Sequence, residues 1–565
     1  MKKKISRMTA VIISAILCLT ATVSAFAAPP SAPPDGGGGF GGGGGADTMT
    51  YDYSGTLSAT LTADGEKASA NGETLSSTQS DANTALAQNG GVLDIQTSVL
   101  NKSGSDEDGD NCNFYGINSI LLSVGEGSTA YIGDSDLNAD STGSNAIFAT
   151  DSGTVYSYNN TIKTSADNSR GLDATYGGTI IADMTTISTQ GDHCAATATD
   201  RGGGSVSVTN SSFTTAGSGS PLIYSTGDIE VDNVTGTATG SQIAGMEGLN
   251  TVLIYNSDLT SEITGKTASD PIANGIIIYQ STSGDAESTT GEAATFNAVN
   301  SNLTSAIESG SMFYITNTTA NVVLSNTVLD YDYDSAALLT VEGNSSNNWG
   351  TEGSNGATVT FTAMEENLAG DISVDTISSL DFYVISNSTY TGAASITDNS
   401  AAASTSESPI TMNIDASSKW VVTGDSTVTN LNLADGGEII DEDGNTVTVV
   451  ANGETVIEGD SDYTVTVTGA YSTEVTTSEA NLLSTDFIDR TDFDSYYNVS
   501  TAFGTNADND LEAETTTIPV SLSTGAAKDR DSKSYILYIV LGAAAAAIVV
   551  FGAVTVSRKN SKSRE

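Results

Sequence analysis

The chain is poor in cysteine, histidine and basic residues. Its 565 residues include three Cys, one His and 19 Lys plus Arg, against 69 Asp plus Glu, and its formal net charge is −50. So few cysteines argue against a fold held together by disulfides. Zinc-ligand spacings, Gly-rich phosphate loops and nucleophile elbows are absent from the sequence. A surface this acidic repels nucleic acid and anionic lipid, so we expect no nucleic-acid partner.

Helical periodicity is also scarce between the two ends of the chain. Almost no segment there carries an apolar stripe of helical period, and the Leu-x-x-Leu-x-Leu signature of leucine-rich repeats is missing. Instead, a frame of the form Gly-x-Val-x-Val-x-Asn-Ser-x-Leu returns, mostly every 23 to 26 residues. Its copies start at residues 128, 153, 178, 204, 227, 250, 294, 320 and 357. Insertions fall near 262–273, 281–293 and 343–356.

Each frame has the pattern of a strand with one buried face, because apolar residues alternate with small polar ones. One position repeats as Asp134, Asn159, Asn210, Asn233, Asn256, Asn300 and Asn326. Asn tolerates left-handed turn geometry, and stacked Asn amides can bond from one repeat to the next. Three residues later comes an apolar ladder, which Gly236 interrupts: Leu137, Ile162, Ile187, Phe213, Leu259, Leu303 and Leu329.

A second strand precedes each frame by about ten residues, as in 119–124 and 274–279. Two strands and a short third side make a coil of about 25 residues, which buries its apolar face only when coils stack. We therefore predict an all-β fold: a single-stranded right-handed parallel β-helix of about 12 to 14 rungs. At roughly 4.8 Å per rung it forms a rod about 60 Å long.

The two ends of the chain indicate export and anchoring. Residues 1–28 have the basic start, apolar run and small-x-small site of a signal peptide. The uncharged run 535–556 is long enough to span a bilayer and precedes a basic tail, which predicts a cytoplasmic C-terminus. Ser521-Leu-Ser-Thr-Gly525 lacks the Leu-Pro of a sortase signal, so a membrane anchor is preferred. We expect a single-pass cell-membrane protein with an extracellular ectodomain.

The domain prediction follows from these features. It comprises a signal peptide at 1–28, a Pro/Gly-rich leader at 29–46, an N-terminal cap at 47–89, the β-helix at 90–469, an acidic stalk at 470–533, a transmembrane helix at 534–557 and a basic tail at 558–565. Only eight of the 19 basic residues, against 66 of the 69 acidic ones, lie within 29–527. This acidity suits divalent cations and repels an acidic substrate such as pectate.

Two cysteines remain after the signal peptide, Cys112 and Cys194. They occupy similar strings, Gly109-Asp-Asn-Cys112 and Gly191-Asp-His-Cys194. A separation of three rungs, roughly 14 Å, is too long for a disulfide. We predict that both are buried as small apolar residues.

The densest chemistry surrounds His193, the single histidine of the chain. The frame spacing places Arg170 beside Cys194 on the next rung, so Arg170, Asp192 and His193 converge on one corner as a candidate ligand-binding site. Arg201 follows His193 by eight residues, up to about 26 Å along extended chain. Plain corner structure is the competing interpretation.

Asp151 and Asp200 form the candidate catalytic pair, with His193 as a further weak candidate. The same spacing sets the two aspartates two rungs apart, roughly 10 Å, with Tyr176 between them. That is near the carboxylate separation of an inverting glycosidase. Both residues also fall at strand ends, where Asp commonly makes a turn.

Two further features are candidate binding elements. Asp106, Asp108 and Asp110 alternate around a glycine in a predicted turn, a pattern that suits Ca²⁺, although a solvated acidic turn has the same sequence. Calcium is the one possible cofactor. Trp349 lies in an insertion beside amide side chains, where it could stack on a sugar ring or cover the neighbouring groove.

The whole arrangement resembles the adhesin-like, pectin-lyase-like right-handed β-helix surface proteins of Gram-positive bacteria. The resemblance rests on the signal peptide, the Gly-rich leader, the Asn ladder, the C-terminal helix, and strings such as Asn-Ser-Arg170-Gly-Leu-Asp and Gly-Asp-His193-Cys-Ala-Ala. It covers nearly the whole ectodomain. Pectate lyase and polygalacturonase signatures are absent, so the resemblance does not imply enzymatic activity.

Three functions remain open at this stage. The first is a membrane-anchored surface protein that binds glycans or another cell's surface. The second is an extracellular polysaccharide lyase or glycoside hydrolase, and the third is a spacer without a ligand. Loops at 262–293 and 343–356 are the expected binding surface, since insertions on a solenoid gather at its functional face.

Overall fold

The computed structural model describes residues 50–504, except 108, 283–285 and 287–291. The predicted signal peptide, leader, transmembrane helix and basic tail lie outside the described residues, as does Asp108. Within the described part of the chain, no helix is long and apolar enough to cross a membrane.

The described residues form a nearly all-β parallel β-helix, which confirms that part of the predicted fold class. Along most of the helix each coil adds one strand to each of three parallel sheets. Sheet 1 consists of Ala59–Asp64, Asn83–Gln88, Leu121–Val124, Ile147–Thr150, Leu172–Ala174, Thr197–Thr199, Ile223–Ser225, Ala244–Glu247, Asn274–Tyr279, Ser311–Thr316, Ala337–Val341, Ile372–Asp375 and Ala394–Thr397. Sheet 2 consists of Lys67–Asn71, Val92–Gln96, Thr129–Gly133, Thr154–Tyr158, Gly178–Asp183, Gly204–Thr209, Asp228–Asp232, Thr251–Tyr255, Ala294–Val299, Thr319–Ser325, Thr358–Met364, Ser379–Ile385, Ile410–Ile414, Asn430–Leu433 and Tyr471–Ser472. Sheet 3 consists of Thr74–Ser77, Val99–Lys102, Asp136–Ala139, Thr161–Thr164, Thr186–Thr189, Ser212–Thr215, Thr235–Ala238, Asp258–Ser261, Asn302–Ser305 and Val328–Asp330.

The later coils close the helix with two small sheets. Sheet 4 consists of Asn367–Ala369, Thr389–Thr391, Lys419–Val422 and Glu438–Asp441; sheet 5 consists of Ser426–Val428, Thr464–Val467, Thr448–Ala451 and Glu454–Ile457. The last two strands of sheet 5 pair antiparallel, which ends the parallel stacking. Helices are short in the described residues: α1 is Gly109–Tyr115, α2 is Thr491–Tyr497, and a 3₁₀ turn spans Glu479–Asn481.

The predicted apolar ladder is the inward column of sheet 3. Leu137, Ile162 and Ile187 are directly paired across neighbouring strands and almost fully buried. Gly236 interrupts this column because a Cβ there would lie 2.7 Å from Leu222 Cδ1. The Leu222 side chain therefore fills the space that a larger residue at position 236 would take.

The predicted asparagine ladder is present at the corner between sheets 2 and 3. Its members adopt left-handed backbone geometry, with φ of 51° at Asn159 and 49° at Asn300. Asn159 Nδ2 donates to Asp134 Oδ1 at 2.6 Å, and Asn326 Nδ2 donates to Asn300 Oδ1 at 2.9 Å. Met184 takes one rung of this ladder with φ of 54° and is 48% exposed. The repeat thus dictates the backbone conformation even where the amide is lost.

The two segments predicted to flank the helix are instead part of it or packed on it. Within 47–89, where a cap was predicted, three strands pair with the following coil in sheets 1, 2 and 3. In the described part of the predicted stalk, Tyr471–Ser472 is the last strand of sheet 2, and the chain then folds back along the outer face of that sheet. Residues 475–504, the C-terminal strap, bury Phe493 fully against Tyr156 and Ile181. Aromatic residues on both surfaces supply this packing.

Glu366 makes stability depend on pH. It is 1% exposed, and its Oε1 accepts the Thr327 N–H at 2.7 Å, whereas Oε2 has no partner among the described residues. Burial raises the pKa of Glu366 to about 8. A carboxyl group whose pKa is higher in the folded than in the unfolded state is compatible with folding only while it is protonated. The stability of the folded state therefore falls as pH rises from about 4.5 to 8 and Glu366 ionises.

We therefore expect Glu366→Gln to stabilise the protein on the order of a few kcal/mol at pH 9 and to leave stability at pH 4 almost unchanged. Urea unfolding at both pH values measures this. The matched control is Glu365→Gln, since Glu365 is its exposed neighbour. Equal effects of the two substitutions would contradict the assignment to Glu366.

Candidate functional site

The outer face of sheet 1 gathers the polar side chains of the site. The strand register aligns Asp173 with Ala198 and Tyr224 on successive rungs, and it aligns Glu247 with Tyr279. The predicted insertions 262–273, 281–293 and 343–356 all adjoin strands of sheet 1, and α1 precedes one of its strands. The insertions predicted to form the binding surface therefore border the outer face of sheet 1.

A buried guanidinium lies at the centre of the face. Arg170 Nη1 donates to Asp173 Oδ2 at 3.0 Å and Nη2 donates to Asp200 Oδ2 at 2.9 Å. Although burial alone would lower the pKa of Arg170, Asp173 and Asp200 raise it. Burial raises the pKa of Asp173, and Arg170 opposes that shift. The group is a two-carboxylate clamp that the sequence analysis did not predict.

Helix α1 covers one side of the clamp. Asn113 Oδ1 accepts a further hydrogen bond from Arg170 Nη1 at 3.0 Å. The Arg201 guanidinium lies 3.6 Å from the centre of the Phe114 ring, a cation–π contact. With only seven residues, α1 is too short to show a helical apolar pattern.

A cavity of about 190 Å³ opens beside the clamp. Its polar and aromatic lining includes Arg170, His193, Tyr224, Gln242, Asp270 and Tyr279. The insertion 262–273 forms one wall: Thr267 Oγ1 accepts the Gly219 N–H at 3.0 Å. His193 is exposed at the rim with φ of 58°.

Hydrogen bonds fix two carboxylates: Asp270, which lines the cavity, and Glu247, which lies behind the lining residue Tyr224. Tyr224 Oη donates to Glu247 Oε2 at 3.1 Å, and Ser281 Oγ donates to Glu247 Oε1. Asn274 Nδ2 donates to Asp270 Oδ2 at 2.8 Å. Burial raises the pKa of Asp270 to about 6. The cavity thus offers ordered acceptors beside tyrosine rings, the set of groups that orients a small polar ligand.

The predicted ligand-binding residues separate into two groups. Arg170 and His193 do line one cavity. Asp192 is not among the lining residues: its Oδ1 accepts the Ser218 N–H at 2.8 Å, and its own N–H donates to Asp167 Oδ1 at 2.9 Å. It therefore takes part in an exposed turn ladder that joins three rungs.

The candidate pair Asp151 and Asp200 differs from the predicted alignment by one residue. Ala174 pairs with Thr199, so Tyr176 aligns with Arg201 rather than with Asp200. Asp200 is held by Arg170, whereas Asp151 occupies a turn with φ of 50°. Neighbouring strands of sheet 1 are offset by 25 residues here, whereas the predicted alignment used 24, and this one-residue difference determines which side chains share a column.

Trp349 lies against sheet 1 and is 7% exposed. Its ring stacks on Tyr279 with centroids 4.3 Å apart, and it packs with Ile277 and Tyr314. Asn347 Nδ2 in the same insertion donates to the Ser269 carbonyl, so the insertions 343–356 and 262–273 touch. Trp349 therefore covers the groove beside the cavity, which was the alternative to sugar stacking.

Of the candidate calcium ligands, Asp106 contacts the thiol of Cys112, and burial together with Asp106 raises the pKa of that thiol. Asp110 belongs to α1 rather than to a turn. In the residues that the structure describes, no group of three or more His, Cys, Asp or Glu side chains could hold a metal ion. Cys112 and Cys194 are buried and unpaired, as predicted.

Sequence reasoning missed Tyr224, Gln242, Asp270 and Tyr279. Tyr224 could have been found, because correct alignment of the frames sets it two rungs from Asp173. Asp270 could not, because it lies in an insertion whose path the repeat does not determine. No family model, no curated protein and no solved structure matches this chain.

Proposed function

We propose that this protein is a membrane-anchored cell-surface protein of the adhesin-like, β-helical kind, and that the cavity on the outer face of sheet 1 binds a glycan. The observation that carries the glycan assignment is the lining of that cavity: two tyrosines beside the amide of Gln242 and the carboxyl of Asp270. Sugar hydroxyls donate to carboxylates and accept from amides, and tyrosine rings pack against sugar faces.

The size of the cavity narrows the ligand. Its volume of about 190 Å³ is below the roughly 300–1,000 Å³ of most small-molecule sites. It suits one sugar residue, with the rest of the glycan crossing the rim at His193. The Arg170 clamp lies beneath this residue and keeps the floor rigid.

The remaining parts of the proposal concern placement. We propose a right-handed coil, because crossovers between parallel strands are right-handed in about 98% of cases. The uncharged run within 534–557 anchors the chain in the cell membrane, with the ectodomain outside and the tail in the cytoplasm. Calcium is the one cofactor proposed, as a ligand of the acidic surface.

A glycan array with the purified full-length protein tests the proposal. We expect specific binding, and we expect Tyr224→Ala to weaken it at least tenfold, because this substitution removes a ring and a partner of Glu247. Tyr333→Ala is the control, since Tyr333 is 56% exposed and does not line the cavity. The array is read with and without calcium.

Released sugar is measured in the same experiment. If the protein releases sugar and the Asp270→Asn variant does not, the second candidate function, a polysaccharide lyase or glycoside hydrolase, would replace glycan binding. Asp270 favours that candidate in one respect, because a pKa of about 6 lets it retain a proton. If the array shows neither binding nor released sugar, the glycan assignment is overturned and a protein ligand or a spacer function is favoured.

A further inference from the structure

A second cleft lies between sheet 2 and the C-terminal strap. It is open to solvent, has a volume of about 610 Å³, and is bounded on the strap side by residues 479–488. Among the described residues, five acidic side chains and no lysine or arginine line it: Asp228, Glu292, Glu479 and Asp486, which are exposed, and Glu230, which is buried. We call it the acidic cleft.

The acidic cleft is elongated along the helix axis. One column of sheet 2 runs through it in direct register: Asp228, Thr251, Thr295 and Asn321. Four rungs extend over about 14 Å. Since no three acidic side chains in the described residues are grouped closely enough to hold a metal ion, the negative charge is spread along the cleft. A ligand that carries several separated positive charges matches this distribution.

Asn297 adds a requirement that charge alone does not meet. It is fully buried and lines the acidic cleft. The Ser484 N–H donates to Asn297 Oδ1 at 2.8 Å, which fixes the orientation of the amide. Its Nδ2 then has no hydrogen-bond partner among the described residues. A buried donor without an acceptor costs about 1–3 kcal/mol, so a ligand that supplies an acceptor here gains affinity.

We infer that the acidic cleft binds an extended peptide segment with lysine or arginine side chains. The basic side chains pair with the carboxylates, and a backbone carbonyl accepts from Asn297 Nδ2. Leu253, Leu483 and Phe487 supply apolar wall for the side chains between the basic residues. Four extended residues span about 13 Å, which is close to the length of the cleft. A protonated polyamine carries the charge but has no acceptor for Asn297.

Fluorescence anisotropy with the full-length protein tests this inference. The probe is a labelled eight-residue peptide of alternating leucine and lysine, and the same peptide with glutamate for lysine is the blank. We expect the double variant Asp228→Asn, Asp486→Asn to raise the Kd of the lysine peptide at least tenfold. The control is Asp136→Asn, Asp258→Asn, which removes the same charge from the exposed face of sheet 3. Equal weakening by both double variants would reduce the binding to general electrostatics and overturn the site.

Asn297→Asp separates a peptide from a simple cation. This substitution keeps the acceptor for Ser484 and replaces the Nδ2 donor by a carboxylate oxygen. At pH 8 we expect the lysine peptide to bind at least threefold more weakly, whereas binding driven by charge alone would tighten. Spermine, titrated in parallel, should tighten. Tighter binding of both ligands would overturn the peptide assignment. Tyr224→Ala should change neither titration, which keeps this test independent of the glycan proposal.

Discussion

Arg490→Met is expected to detach the C-terminal strap from sheet 2. Arg490 is 5% exposed and donates to Ser207, Thr209 and the Ala182 carbonyl from its two terminal nitrogens. Its Nε donates to Thr501 at 2.8 Å, which closes the end of the strap onto itself. Burial lowers the pKa of Arg490 to about 10, so the side chain remains charged at neutral pH.

The loss should be large because the charge partners stay behind. Glu230 accepts from Ser207 Oγ at 2.6 Å and is 2% exposed; burial raises its pKa and the Arg490 charge opposes that shift, so the variant leaves a buried acid without this cation. Removing one member of such a buried network costs about 3–5 kcal/mol. We therefore expect the strap amides to exchange with deuterium on the order of a hundredfold faster.

Hydrogen exchange of residues 488–504 measures the opening. The N–H groups of Ile488 and Gly504, which donate to Glu230 and Asp232, are the reporters. Lys163→Met on the exposed face of sheet 3 controls for loss of a cation. Arg490→Lys should give an intermediate rate, because an ammonium keeps the charge and loses the planar fork. Unchanged exchange in Arg490→Met would show that aromatic packing alone holds the strap.

Arg170→Met is the second substitution with a large expected effect. It leaves Asp173, which is fully buried, and Asp200, which is 5% exposed, without the guanidinium that both contact. We expect a loss of about 3–5 kcal/mol at neutral pH. The loss should shrink as pH falls, because without Arg170 both acids are protonated more readily and the folded state then buries no charge.

Urea unfolding at pH 4.5 and pH 7.5 checks this expectation. The double variant Arg170→Met, Asp173→Asn should recover part of the lost stability at pH 7.5, since it also removes the buried charge. Lys67→Met, an exposed position on sheet 2, is the control. A loss that is the same at both pH values and is not recovered in the double variant would mean that packing, rather than charge, is what Arg170 supplies.

Arg170 and Arg490 have the same kind of position in the fold. Each belongs to a small set of basic residues in a very acidic chain, and each is buried beside a cleft: Arg170 at the cavity on sheet 1 and Arg490 on the face of sheet 2 that carries the acidic cleft. The few cations are used inside the fold: Arg170 pairs with the buried Asp173 and Asp200, and the Arg490 charge acts on the buried Glu230.

The sequence by itself determined the coil. Its period, the apolar column of Ile162 and Ile187, and the corner asparagines all follow from local alternation and left-handed turn preference, and the structure has them at these positions. These features recur along the repeat, so the fold can be inferred independently from many of its rungs.

Only the tertiary structure decided the sites. The uninterrupted intervals between frames range from 23 to 26 residues, so the exact register that brings Asp200 to Arg170 and Asp173 comes from the stacked strands and not from a mean period. The position of Asp270 depends on how an insertion packs on sheet 1. The strap, predicted as a stalk, packs on sheet 2 through contacts between residues more than 280 positions apart, such as Arg490 and Ser207. The segment is polar, as its sequence indicates, but the surface of sheet 2 on which it packs exists only after the β-helix has formed.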